Sequence, residues 1–191
     1  MSPRRTWCAT GWFRRSSRPT SGTARSTLTV KPPNAQIDSV PVLLQNRQRA
    51  VAVDRAWLGR TAGAVLAAAR AEAAELSLVL VSDRRMRALN QRYRNKDRST
   101  DVLAFPMHAE RGQIYFSPRK INLSPVLLGD VVISMPTAKR QAAALGHGLR
   151  AEITRLLVHG VLHLLGYDHE RSARDASVMA RKERAILRKI R

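Results

Sequence analysis

The chain has a single cysteine, Cys8, among its 191 residues. One sulfur forms no intramolecular disulfide, and it cannot supply the thiolate ligands of a zinc finger. Any metal site must therefore be built from histidine and carboxylate side chains. The lack of disulfides fits a reducing compartment, and we expect a cytoplasmic location. An extracellular domain that is stable without disulfides would have the same cysteine content.

Long apolar runs are absent as well. No stretch approaches the ~18 consecutive apolar residues that cross a bilayer, so we expect no membrane-spanning helix and no membrane partner. With 44% apolar and 25% charged residues, the composition differs from that of disordered chains and supports a hydrophobic core. A length of 191 residues fits one globular domain.

Acidic residues are scarce: 14 Asp and Glu stand against 34 Lys and Arg, which gives a formal net charge of +20. Such an excess favours a polyanionic partner, because Lys and Arg that neutralise phosphates release condensed counterions. The preference for Arg over Lys has a second explanation, the codon usage of a GC-rich genome. That explanation does not account for the scarcity of acids.

The first 37 residues contain no Asp or Glu and are rich in Arg, Ser and Thr. This composition predicts a basic, disordered N-terminal extension over residues 1–37, followed by one folded domain over residues 38–191. A transit peptide and a start codon assigned too far upstream are two alternative explanations of the extension.

Apolar periodicity beyond the extension predicts both helices and strands. Strands are expected at Val40–Leu44, Leu76–Val81, Val102–Phe105 and Val131–Ile133. Helices are expected from the cap Asp54 to about Ala74, after Ser82 or Asp83, from Pro136 to about Leu145, from Leu149 to about Leu165, and from the cap Ser172. A long loop or hairpin with Gly112, Pro118 and Pro125 separates the last two strands. Because helices and strands do not alternate strictly, we expect an α+β fold.

Three of the five histidines lie close together in the sequence, at His159, His163 and His169. Residues four apart on a helix project from the same face, so the first two imidazoles can reach one ion. Gly166 is suited to end this helix and turn the chain, which lets His169 approach the pair from a loop. Three neutral imidazoles suit Zn²⁺ and leave one tetrahedral position free, as in catalytic zinc sites.

Residues around this triad allow more than one interpretation. Asp168 is either an orienter that accepts the distal N–H of a ligand imidazole or a turn residue on the surface. His108 and His147 have no partner at useful spacing, and we expect them on the surface. Gly160 occupies the position at which H-E-x-x-H zinc proteases carry a glutamate base, so a protease mechanism loses its proton acceptor.

Three blocks of the sequence resemble the YbeY family of bacterial and organellar endoribonucleases that act in ribosomal RNA maturation. The blocks are N-x-x-Y-R-x-K-D-x-x-T-D-V-L-x-F-P at 90–106, L-G-D-V-V-I-S at 128–134 and H-G-x-L-H-L-x-G-Y-D-H at 159–169. The resemblance implies one Zn²⁺ held by His159, His163 and His169, with Arg94 as the basic catalytic residue that acts on RNA. It also implies an α+β domain whose small sheet packs against helices, with the zinc at one end of a cleft.

A run of cations lies in the first of these blocks, directly after a predicted helix. We expect Arg92, Lys96 and Arg98 to bind substrate phosphates next to Arg94, because guanidinium forks match phosphate oxygens. An ordinary solvated face is the alternative interpretation of this cluster.

Other residues of the same block have expected supporting roles. Asp97 and Asp101 are expected to hold the neighbouring cations by ion pairs. Tyr93 either stacks on a base or packs in the core, and its helical spacing with Leu89 favours the core.

Together these features favour a zinc-dependent endoribonuclease that hydrolyses phosphodiester bonds of single-stranded RNA. The resemblance implies a role in maturation of the 3′ end of 16S rRNA and in ribosome quality control, with the small ribosomal subunit and its assembly factors as partners. A non-catalytic ribosome-assembly factor, which binds rRNA and carries a structural zinc, is the main alternative, because no general base is evident. A metalloprotease is disfavoured by Gly160 and by the charge.

Overall fold

The computed structural model describes residues 42–107 and 126–190. Within these two ranges the secondary-structure elements are β1 Val42–Asn46, α1 Arg55–Ala68, β2 Ala74–Val81, α2 Asp83–Arg94, β3 Val102–Pro106, β4 Val126–Ser134, α3 Met135–Ala144, α4 Leu149–Leu164 and α5 Ala173–Lys189. The N-terminal extension, His108 and the loop residues Gly112, Pro118 and Pro125 lie outside the described residues. The expectations for them remain predictions.

The strands form one mixed sheet in the order β1-β2-β4-β3. Strands β1, β2 and β4 are mutually parallel, while β3 pairs antiparallel with β4. Alternate residues of β2 face two different apolar clusters, one shared with α1, α4 and α5 and a smaller one shared with α2. Helices therefore cover both faces, which explains the continuous apolar run over residues 78–81 of β2. The expected α+β fold is confirmed.

Helix α4 lies at the centre of the larger cluster. Its residues Leu156, Leu157 and Val161 are completely buried, so the helix is apolar on more than one side. At Gly160 an added Cβ would lie only 2.8 Å from Val131 Cγ1 and 3.1 Å from Val131 Cγ2 on β4. The glycine therefore allows close approach of α4 to the sheet.

Most predicted helix starts are confirmed, because capping is local. The Asp54 carboxylate accepts a hydrogen bond from Trp57 N at 3.0 Å, and Ser172 Oγ accepts one from Asp175 N at 3.1 Å. Ser82 Oγ caps α2 by accepting from Arg85 N at 3.4 Å. Pro136 lies in the first turn of α3, where its missing N–H is tolerated.

Several boundaries differ from the sequence prediction by a few residues, and two of these differences have a clear local cause. Helix α1 ends at Ala68 rather than near Ala74, because Arg70 adopts a left-handed conformation with φ 60° and Ala74 already belongs to β2. Strand β4 is longer than Val131–Ile133, and its pairing with β2 shifts register at a bulge. Gly129 is required at this bulge: its φ is +139°, and a Cβ would lie 2.2 Å from the carbonyl oxygen of Phe105.

Across residues 42–107 and 126–190, no helix is both long enough and apolar enough to cross a membrane.

Candidate metal centre

The fold brings the three predicted ligand histidines together. His159 and His163 project from the last two turns of α4, and His169 follows the turn at Gly166, whose φ of 88° redirects the chain. One nitrogen from each ring can be chosen so that the three lie within 4.8 Å of one another. The Nε2 atoms of His159 and His163 are 3.1 Å apart, so the imidazoles of α4 converge at their tips.

This arrangement fits a metal ion. Three nitrogens at the usual Zn–N distance of a tetrahedral site are about 3.3 Å apart, close to the separation of the two α4 nitrogens. Burial, followed by the charges of His159 and His169, lowers the pKa of His163 to about 4. The ring is therefore neutral at pH 7, the form in which imidazole binds metals. His159 and His163 are half-buried, whereas His169 is exposed, which leaves one side of the cluster open to solvent.

A carboxylate that the sequence interpretation missed contacts the first ligand. Glu183 Oε1 of α5 lies 2.6 Å from His159 Nδ1, and both side chains are about one-quarter exposed. The hydrogen bond from His159 lowers the pKa of Glu183 against the effect of its burial. An ionised carboxylate only accepts hydrogen bonds, so Nδ1 is the donor, and in the neutral imidazole Nε2 is then the atom that can bind a metal. One feature of the sequence could have indicated Glu183: it is a charged residue at helical spacing between Met179 and Ile186, the two residues of α5 that are buried.

Asp168 has a different environment. Its carboxylate accepts hydrogen bonds from Glu170 N at 2.9 Å and from Arg171 Nε at 3.1 Å. These contacts support the turn that carries His169, in agreement with the turn interpretation. Its role as an orienter of a ligand imidazole remains a prediction, while the observed imidazole–carboxylate contact belongs to Glu183.

Arg94 lies next to the triad although it is distant in sequence. It is the last residue of α2, and its Nη2 donates to Glu170 Oε1 at 2.8 Å. Glu170 directly follows His169, so this ion pair joins the end of α2 to the turn that carries the third histidine. The Arg94 side chain is 40% exposed, which leaves part of the guanidinium accessible to a ligand.

The other predicted phosphate ligands lie on two elements: Arg92 lies within α2 and not after it as expected, whereas Lys96 and Arg98 lie on the segment that follows α2. Arg92, Lys96 and Arg98 are exposed. Buried Asn90 fixes the backbone that carries the last two: its side-chain Nδ2 donates to Arg98 O at 2.7 Å, and its backbone carbonyl accepts from Lys96 N at 3.3 Å. The left-handed conformation of Asn95, with φ 54°, ends α2 and starts this segment.

The expected ion pairs of Asp97 and Asp101 with these cations are wrong. Asp97 forms a two-point ion pair with Arg87, at 2.7 and 2.6 Å, because the segment folds back over α2. Asp101 accepts hydrogen bonds from Gln141 Nε2 at 3.0 Å and Val102 N at 2.9 Å, and also from Thr100. The cations of the segment are thereby left for other partners.

Two further expectations concern aromatic rings. Tyr93 packs edge-to-face against Phe105 with ring centroids 5.0 Å apart, so it is a packing residue. His147 is not a free surface residue: its side chain is 29% exposed, and its Nε2 lies 2.8 Å from the completely buried carboxylate of Glu152.

Fold and site together define a class of protein: α+β domains in which a helix and the following turn supply three histidines that could hold one metal ion, next to a basic segment. A family model described as Endoribonuclease YbeY matches residues 43–191. The chain therefore belongs to the YbeY family, which confirms the resemblance inferred from the three sequence blocks.

Curated relatives support this membership. A protein of Anaeromyxobacter dehalogenans named Endoribonuclease YbeY is 51% identical over 127 residues, which is 66% of this chain and 60% of the relative. Relatives of the same name from Pelotomaculum thermopropionicum and Aquifex aeolicus are 46% and 42% identical. Each of these two alignments covers 78% of this chain, and they span 95% and 91% of the relatives.

The fold is shared with a solved structure. The solution structure of TM1509 from Thermotoga maritima matches with a TM-score of 0.53 and 21% sequence identity, covering 78% of this chain and 88% of that one.

Proposed function

We propose that the protein is a zinc-dependent endoribonuclease that cleaves phosphodiester bonds of single-stranded RNA. One observation carries the proposal: three imidazole nitrogens converge within 4.8 Å, and Arg94 is joined to the same turn through Glu170. The relatives' name, Endoribonuclease YbeY, supports the same activity. The excess of basic residues suits a polyanionic substrate.

The side chains next to the triad have defined tasks in this proposal. Arg94 donates to a non-bridging oxygen of the scissile phosphate and stabilises the negative charge that develops there. Glu170 uses one terminal amino group of Arg94 and leaves other N–H donors available. Lys96, Arg98 and Arg92 neutralise the adjoining phosphates and hold the strand in register.

The histidines would hold Zn²⁺, which polarises a phosphoryl oxygen and makes water more acidic. Two nucleophiles are compatible with the site: water, and the 2′-hydroxyl next to the scissile phosphate. Their products differ, since attack by the 2′-hydroxyl forms a 2′,3′-cyclic phosphate and attack by water gives linear ends. Analysis of the termini of a cleaved oligonucleotide decides between them.

The biological setting is part of the same proposal. A cytoplasmic enzyme of this kind would act in maturation of the 3′ end of 16S rRNA and in ribosome quality control. Its partners would be the small ribosomal subunit and its assembly factors. The scarcity of acidic side chains supports an RNA-rich environment of this type.

The test is cleavage of a defined single-stranded RNA by the purified chain, with and without chelator. We expect Arg94→Glu to lose cleavage at least 100-fold, because removal of one charge-stabilising donor typically costs that much, while retaining zinc. Arg150→Glu is the matched control: Arg150 forms a similar exposed ion pair with Asp54. It lies 13 residues before His163 on the same helix, about 20 Å away. Equal cleavage by Arg94→Glu and Arg150→Glu would refute the role of Arg94.

A non-catalytic rRNA-binding factor is the second candidate. The observation in its favour is Gly160, where zinc proteases carry their base: this position faces Val131 on the sheet and has no room for a carboxylate. The same geometry opposes a protease. RNA binding without chelator-sensitive cleavage, in a preparation whose His163→Ala variant serves as the nuclease control, would establish this second candidate.

A further inference from the structure

Helix α5 reaches the metal centre through one side chain. Glu183 lies on the side of α5 that also carries buried Met179 and Ile186, so the packing of α5 on the core directs it inward. Its Oε1 is 2.6 Å from His159 Nδ1, which is the distance of a strong charge-assisted hydrogen bond. This contact joins residues 24 positions apart in sequence.

The contact restricts the ligand ring in two ways. Because Nδ1 donates to the carboxylate, the neutral imidazole must keep its lone pair on Nε2. The same bond limits rotation about χ2, so that Nε2 stays directed at Nε2 of His163, 3.1 Å away. A ring without this partner would sample both tautomers and other orientations.

A positive charge on α4 acts on the same carboxylate. Arg155, one turn before His159 on α4, attracts the Glu183 carboxylate through space. Arg155 is fixed by a two-point ion pair with Glu152, whose side chain is completely buried.

We propose that Glu183 is a positioning residue of the metal centre, which fixes the tautomer and orientation of His159 through the hydrogen bond from Nδ1. The proposal rests on the metal centre of the proposed function but concerns metal binding only. Partners of this kind raise the basicity of a ligand imidazole, and their loss typically weakens metal binding about 10–100-fold. Helix α5 is therefore part of the site and more than a cover over the core.

The experiment measures Zn²⁺ affinity of the full chain by competition with a chromogenic chelator, with no RNA present. We expect Glu183→Ala to weaken Zn²⁺ binding about 10–100-fold. Glu183→Gln should lose less, because its amide oxygen can still accept from Nδ1. Glu72→Gln makes the same chemical change in the exposed turn before β2 and should bind like the wild type. Wild-type affinity in Glu183→Ala would overturn the proposal.

A double-mutant cycle separates positioning from a general effect on folding. If Glu183 acts through His159, then Glu183→Gln should have no further effect on Zn²⁺ affinity once His159 is replaced by Ala. An equal loss of Zn²⁺ affinity in the wild-type and His159→Ala backgrounds would overturn the proposal. This test uses Glu183→Gln and does not depend on the stability of Glu183→Ala. The Co²⁺-substituted Glu183→Gln chain should also show shifted visible bands relative to Glu72→Gln.

These outcomes are independent of the proposed nuclease activity. If the Zn²⁺ affinities fall in the order wild type, Glu183→Gln, Glu183→Ala but the wild-type chain leaves RNA intact, the nuclease activity is refuted and the role of Glu183 is retained. A chelator-sensitive nuclease whose Glu183→Ala variant binds Zn²⁺ normally refutes the role of Glu183 alone.

Discussion

Gly160 matters both for the packing of α4 and for the chemistry that the site can perform. It stands one position after the first ligand, on a side of α4 that faces Val131 rather than the other imidazoles. In the sequence it marks the absence of a protease base. In the structure it has a packing role, since any side chain there would separate α4 from the sheet.

We therefore predict that Gly160→Ala destabilises the protein by about 1–3 kcal/mol, the usual cost of overpacking. The added methyl group would lie 2.8 Å from Val131 Cγ1. Gly63→Ala is the control: it lies within α1 and meets no atom within 4 Å, so the higher helix propensity of Ala should stabilise by up to about 1 kcal/mol. Urea unfolding measures both, and equal stabilities of the two variants would contradict the packing argument.

At the scale of elements, Asp83 joins three parts of the fold. Its Oδ1 accepts hydrogen bonds from Ser134 Oγ at the end of β4, at 2.5 Å, and from Thr137 Oγ1 of α3, at 2.7 Å. Its Oδ2 pairs with Arg140 at 2.8 Å. Partial burial raises the pKa of Asp83, but these hydrogen bonds and the charge of Arg140 outweigh it and lower the pKa to about 2.

A pH-dependent contribution to stability follows. Because the folded pKa lies below the ordinary value of 3.8, ionised Asp83 stabilises the fold above pH 4, and this contribution is lost as the pH falls towards 2. We expect Asp83→Asn to be about 1–2 kcal/mol less stable at pH 7. The difference should shrink between pH 4 and 3 in urea unfolding curves. A difference that is constant over this range would contradict the assignment.

An interaction of these elements can be predicted from the sequence when its partners are close together along the chain. Caps at Asp54, Ser82 and Ser172 involve neighbours three residues away, and they are visible in the sequence. The histidine triad depends on helical spacing and one turn, and it is predictable for the same reason. The contact of Glu183 with His159 is set by the packing of α5 on α4. The sequence of α5 shows only a charged residue on a buried side and does not identify its partner. The pairing of Asp97 with Arg87 likewise depends on how the segment folds back.

At the scale of the whole molecule, the fold converts distant sequence blocks into one surface. Helix α2 ends at Arg94, and α4 ends at the ligand turn, yet the ion pair Arg94–Glu170 spans 76 positions. The charge excess of the chain surrounds this junction with exposed cations on α2 and the segment after it. Electrostatic attraction of RNA is the expected consequence.

Salt dependence tests this consequence. For single-stranded RNA, each neutralised phosphate contributes about 0.7 to the slope of log affinity against log salt concentration. We predict that the double variant Lys96→Gln, Arg98→Gln reduces the slope by about 1.4. The control variant Arg49→Gln, Arg60→Gln removes two exposed charges from the loop after β1 and from α1. If both double variants lower the slope equally, the segment is an ordinary charged face.

Convergence of His159, His163 and His169 on one ion is the central requirement of the proposed site. The most direct measurement is the metal content of the purified chain, determined together with that of His163→Ala. We predict one equivalent of divalent metal, coordinated by three histidine nitrogens in X-ray absorption, and its loss in the variant with little change in fold. A wild-type chain that binds no metal after reconstitution with Zn²⁺, or a His163→Ala variant that retains it, would contradict the account.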